Sequence, residues 1–163
     1  PSKEVLIDRV YDEVFSRRWN PEWEEWLADR TYPLRERLCR YLKDYAKFVL
    51  RNEWVRIFIY AGLTRGGINQ KYLNRLRERH FAVIARELRH TYEIPDPRSP
   101  TGQEDEIELV WAMHSGVFYF GVRKWIYEES IPRNIDHHIE MRVDAFLEGV
   151  PKVLREQREA RHT

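Results

Sequence analysis

The chain has a single cysteine, Cys39, in 163 residues. It can therefore form no intrachain disulfide and no cysteine-based zinc site, and the expected location is intracellular and cytoplasmic. Excess charge of one sign is also missing, since 28 basic residues stand against 27 acidic ones. Nucleic-acid binding rests on clustered Lys and Arg that neutralise phosphates. Here Glu36, Asp44 and Glu78 lie among Arg35, Arg37, Arg40, Arg75, Arg77 and Arg79, so these runs read as solvated helix faces. The longest stretch without Asp, Glu, Lys or Arg is Leu109 to Val122, 14 residues, against the roughly 20 that cross a bilayer. No membrane partner is expected. No cationic-then-apolar leader precedes Leu6, so no secretory signal is expected.

Catalytic signatures are equally scarce. There is no Gly-x-Ser-x-Gly elbow and no glycine-rich phosphate loop. Di-iron bundles use Glu-x-x-His on two helices with two further glutamates; Glu87-Leu88-Arg89-His90 has that spacing but no second copy. In Asp136-His137-His138-Ile139-Glu140 the adjacent histidines point about 100° apart on a helix, and one carboxylate does not complete a metal site. Cys39 reads as packing. The expectation is no catalysis, no metal and no cofactor.

Helical periodicity is present in nearly every segment, and no run alternates as a strand does, so the fold class is all-α, one helical-bundle domain spanning 1–163. A first helix is expected from Ser2, its cap, to about Trp19, with Leu6, Val10 and Val14 at helical spacing. Asn20-Pro21 opens a short aromatic helix through Leu27. Pro33 begins the next, with Leu34, Leu38, Leu42, Tyr45 and Val49 on one side. Trp54 to Leu63 forms a compact apolar helix stopped by Thr64-Arg65-Gly66-Gly67. Asn69 to about Glu93 is long, with Leu73, Leu76, His80, Val83, Ile84 and Glu87 on one stripe. Three prolines between Pro95 and Pro100 break the pattern. Thr101 to Glu104 has capping-box spacing and launches a helix to about Glu128. The last helix follows Ser130 to Asn134, with Ile139, Val143, Phe146, Leu147 and Val150 as its seam, Pro151 kinking or ending it, and a fraying polar tail.

Leu109 to Val122 is apolar nearly all round, so both sides need cover. Val110, Met113, Val117 and Phe120 suit the chain's own core, whereas Ala112, Ser115, Gly116 and Tyr119 would admit a helix from another subunit. Together with Val143, Phe146, Leu147 and Val150 on the last helix, they predict a four-helix homodimer interface. The aromatic share of 13%, with six tryptophans, suggests a ligand cavity lined by Trp54, Phe58, His80, Ile84, Trp111 and His114. Arg56, if it points inward, adds a cation for a carboxylate, so the expected effector is aromatic or carboxylate-bearing.

Ser2-Lys3-Glu4-Val5-Leu6-Ile7 with the helix after it, and Phe146-Leu147-Glu148-Gly149-Val150 near the end, resemble the body of TetR-type transcriptional regulators. The resemblance implies a dimer through the last two long helices and an inducer cavity inside the body. It also implies DNA binding only through an N-terminal helix-turn-helix missing from this chain, with Lys3 at a backbone phosphate. Tyr11 and Phe15, facing the body, would transmit the ligand's effect along the first helix. The alternatives are a ligand-free helical adaptor that dimerises and a metal-carboxylate bundle enzyme.

Overall fold

The computed structural model describes residues 2–64 and 67–160, except for the side chains of Glu4, Ile7, Asp8, Tyr11, Ile68 and Ala160. The described residues contain helices and no strand. In chain order the helices are α1 (Lys3–Tyr11), α2 (Glu22–Ala28), α3 (Leu34–Val49), α4 (Asn52–Leu63), α5 (Ile68–Leu76), α6 (Ala82–Tyr92), α7 (Pro100–Trp125) and α8 (Ile135–Ala160). Wide turns with π-type geometry extend α1 over Asp12–Ser16 and join α5 to α6 over Arg77–Phe81.

α3 lies at the centre and packs on α2, α6, α7 and α8. Its predicted stripe is its buried face: Leu34, Leu38, Leu42, Tyr45 and Val49 are all at most 4% exposed. Removing each aliphatic member from water contributes roughly 1.5–3 kcal/mol. The expected stripe on the rod from Ile68 to Tyr92 also turns inward, with Leu76, His80, Ile84 and Glu87 buried and Leu73 and Val83 half-buried.

Several boundaries differ from the sequence reading. Ser2 Oγ accepts from the Val5 amide at 3.4 Å as a cap should. The first helix does not reach Trp19, because Arg17 N bonds to Asp12 O across five residues, 2.9 Å. That wider turn places Phe15 in the core, its ring 5.3 Å from Trp54. α4 closes on Thr64, whose amide bonds to Tyr60 O. Gly67, at φ +75, serves instead as the entry to α5; Arg65 and Gly66 of the expected stop lie outside the described residues. α7 is capped by Ser99, with Pro100 in its first turn, and not by Thr101: Ser99 Oγ accepts from Gly102 N at 3.2 Å. A proline's fixed φ suits that first position. α8 runs through Pro151 without ending. Beyond the proline Leu154 is fully buried, Arg155 donates to Tyr92 O, and Arg158 donates to Glu106 Oε1 at 2.5 Å. The expected frayed tail is therefore tied to the end of α6 and the start of α7.

Two buried carboxylates staple these layers. Glu87 on α6 accepts from Arg30 at 2.9 Å and from Arg37 at 3.1 Å, and Glu106 on α7 accepts from Arg89 and Arg158. Burial alone would raise the Glu87 carboxyl, but Arg30 and Arg37 hold it down at about 2. No helix among the described residues is long and apolar enough to cross a membrane.

Candidate functional site

Tyr41, one turn before Tyr45 on α3, sends its hydroxyl between two imidazoles. Its Oη lies 2.9 Å from His80 Nδ1 and 3.0 Å from His114 Nε2. His80 comes from the π-type turn Arg77–Phe81, where Ala82 N bonds to Arg77 O. Such bulges are frequent at functional sites. His114 comes from the middle of α7. Burial depresses His80 to about 2, with smaller contributions from His114, Arg75 and Arg79, and depresses His114 to about 3. Both rings are therefore neutral near pH 7. A phenol has one proton to give, so one imidazole receives it and the other must donate back to the same oxygen. His80 Nε2 is left without a hydrogen-bond partner in either arrangement, and the His80 ring stacks on Trp19 at 4.4 Å.

On the far side of His114 lies a cavity of about 170 Å³. Its wall comprises Tyr45, Trp54, Phe58, Tyr72, Leu73, Leu76, Trp111, His114, Ser115 and Phe118, with no charged side chain among them. Trp54 and Phe58 stack at 5.0 Å, and Phe118 stands edge-on to both. Trp54 is fully buried, and its indole Nε1–H has no hydrogen-bond partner.

Four of the residues proposed for ligand binding, Trp54, Phe58, Trp111 and His114, thus share one cavity. His80 sits behind it, one hydrogen bond beyond Tyr41. Ile84 is fully buried core and not part of the wall. Arg56 does not point inward: it is exposed, reaches Trp125 O at 3.4 Å, and lines a separate, open groove of about 850 Å³ between α1 and α4. A charged head on a flexible stem goes to water when no buried partner awaits it. Lys3 lies on the same groove, beside Leu6 and Leu63, which are 59% and 79% exposed. Tyr11, expected to transmit the ligand's effect, has its side chain outside the described residues. Sequence reasoning missed Tyr41, although its spacing from Leu38 and Tyr45 put it on the same buried stripe. It also missed Tyr72 and Trp19.

The residues proposed for dimer contact divide. On α7, Val110, Met113 and Val117 face the core as expected, Phe120 is buried beside Arg142 and His138 of α8 and outside the main core cluster, while Ala112 and Tyr119 are exposed and Ser115 and Gly116 half-buried. On α8 the expectation needs correcting. Val143 and Phe146 are 0% and 6% exposed within the chain itself, and Leu147 and Val150 are half-buried against the same core. α3 and α7 already occupy that seam. The bare stripe of α8 is Met141, Ala145, Gly149 and Val153, a four-residue period readable in the sequence. A Cβ at Gly116 would run into the Arg142 guanidinium, which also lies 5.3 Å from the Phe120 ring centre. This contact marks where α7 and α8 meet. Ala112 and Tyr119 flank Gly116, and Ala145 and Gly149 follow Arg142, at the three-, four- and seven-residue spacings of one helix face, so the two bare stripes adjoin.

One carboxylate of each candidate metal cluster is otherwise engaged. Glu87 is held by guanidinium groups, and Glu140 pairs with Lys43. Burial pushes the Cys39 thiol up, away from reactive thiolate character. No family model, no curated protein and no solved structure matches the chain.

Proposed function

We propose that the chain is the effector-sensing and dimerising body of a TetR-like transcriptional regulator, acting without catalysis. The observation that carries this reading is the double role of α7. Trp111, His114, Ser115 and Phe118 on that helix border the aromatic cavity, while Ala112 and Tyr119 lie bare on its outer face. A small molecule in the cavity would press on the same helix that meets the sister subunit.

In this reading the protein has two arrangements of its paired subunits, and an effector that prefers one of them changes the spacing of two DNA-reading heads. Each head would precede residue 1 as a helix-turn-helix. The open apolar groove between α1 and α4, with Leu6 and Leu63 exposed, offers a surface for it. The series His114, Tyr41, His80 and Trp19, in which each neighbour touches the next, runs from the cavity to the segment between α1 and α2.

The coding sequence upstream of Pro1 tests the reading directly and is expected to encode a helix-turn-helix. In the full-length protein, His114→Phe should weaken the response to effector at least 10-fold more than it weakens DNA affinity in the absence of effector. Equal losses would remove the coupling, and an upstream sequence of another type would remove the regulator assignment.

A further inference from the structure

We propose that the groove between α1 and α4 binds a free single-chain carboxylate of medium length, with its head at Arg56 and its tail along α4 toward Leu63. The site is separate from the aromatic cavity, so the proposal goes beyond the effector-binding reading and does not depend on it.

The pattern is set by α4. Arg56, Ile59, Tyr60 and Leu63 recur at the three-, four- and seven-residue spacings of one helix face, a single cation followed by three apolar side chains. The rest of the chain does not cover that face: Tyr60 is 70% and Leu63 79% exposed, Arg56 is exposed and Ile59 half-buried. Leu6 and Val10 on α1 form the facing wall. Contiguous bare apolar surface of this kind marks a binding site.

Charge selects the occupant. Among the described residues that line the groove, the charged ones are Lys3 and Arg56, both cations, with no carboxylate beside them. Arg30, Arg35, Arg37, Lys43, Arg89 and Arg158 each meet a carboxylate. The Arg56 guanidinium has instead the Trp125 carbonyl oxygen at 3.4 Å, and no ion pair among the described residues. An apolar groove edged by an unneutralised guanidinium suits a hydrocarbon chain ending in an anion. The chain removes apolar surface from water, and a carboxylate meets Arg in a forked pair. The groove is concave, which admits one chain between two helices and not the flat face of a bilayer.

Length follows from helix geometry. From Arg56 to Leu63 the helix rises about 10 Å. An extended chain covers about 3.5 Å per three bonds, so roughly nine bonds reach from the guanidinium to Leu63, the length of decanoate. The head proposed to precede residue 1 would meet the same groove, so carboxylate and head exclude one another there.

Calorimetric titration of the chain with decanoate, hexanoate and decyltrimethylammonium, each below its micelle concentration, tests the class. Decanoate is expected to saturate one site per chain and to bind at least 10-fold more tightly than either of the others. Arg56→Gln should erase the preference for decanoate over decyltrimethylammonium, and Leu63→Asp should weaken decanoate at least 10-fold. Both side chains are exposed, so far-ultraviolet dichroism should be unchanged in each variant. Equal affinities for decanoate and the ammonium in the unaltered chain overturn the anionic head, and hexanoate binding as tightly as decanoate overturns the tail. Decanoate binding that survives both substitutions unchanged overturns the groove as its site. Absence of saturable decanoate binding overturns the proposal, and co-sedimentation with phosphatidylglycerol vesicles in that case assigns the groove to a lipid surface. None of these results touches the aromatic cavity, so the effector-binding reading is tested separately by His114→Phe.

Discussion

Tyr41 has a single hydroxyl proton and two imidazoles to serve, and the cost of charging either ring makes the core sensitive to acid. The unfolded chain takes up protons on these histidines as pH falls through about 6.5, whereas the folded chain holds them off until about 2 and 3. The unfolded state therefore binds more protons in that interval, and stability is retained above pH 6.5 and lost below it. The loss approaches about 1.4 kcal/mol per pH unit for each histidine. Urea unfolding at pH 7.5, 6.0 and 5.0 should show this slope. His80→Gln should remove about half of it, and taking the difference between the two proteins cancels the carboxylates common to both. A second residue-scale expectation concerns Arg37, buried at 4% and bonded to both Glu87 and Leu27 O. Arg37→Met leaves the buried Glu87 carboxylate with only the half-exposed Arg30, in the turn after α2, and its chain neighbour Arg86 as ion partners, and should cost about 3 kcal/mol in a denaturant titration. Arg30→Met should cost less than half as much, since water already screens that pair.

Among the elements, the start of α7 shows how local chemistry decides a boundary. Thr101 and Glu104 have capping-box spacing, yet Ser99 wins because Pro100 is preset for the first helical turn and Ser99 Oγ reaches Gly102 N. Ser99→Ala is expected to lower stability by about 1 kcal/mol and Thr101→Ala by a few tenths; thermal unfolding of the two variants checks the order. The long apolar stripes of α3 and of the Ile68 to Tyr92 rod were legible, because a period near 3.6 survives any choice of neighbour. The π-type turns were not: the sequence places Phe15 and His80 on inward faces, but nothing in the residue order marks the turn that takes one residue more than its neighbours. Arg56 failed for a different reason: its sequence neighbours are apolar, but which side of α4 is covered depends on α5 and α7, and sequence spacing does not state that. On α8 the error was to assign a good apolar seam to a sister subunit when α3 and α7 had already claimed it.

At the scale of the whole molecule, the all-α class could be read from the chain, while the gathering of four expected ligand residues into one cavity needed the packing of α3, α4, α5 and α7. The bare adjoining stripes of α7 and α8 predict a two-fold dimer. Sedimentation of the chain at micromolar concentration should give twice the mass of 19.9 kDa. Ala145→Glu should halve it without changing the far-ultraviolet dichroism, because Ala145 is exposed and its replacement disturbs no internal contact. A chain that remains single before the substitution removes this assembly.

The ring of Trp19 lying flat against His80 also gives the protein an optical signature. An imidazolium quenches a neighbouring indole's excited state far more strongly than a neutral imidazole does, and His80 stays neutral while buried, so in mild acid a change in this pair's emission would report the opening of the interior without any attached dye. A compound that altered the bond between His114 and Tyr41 would be visible at Trp19 through the same light.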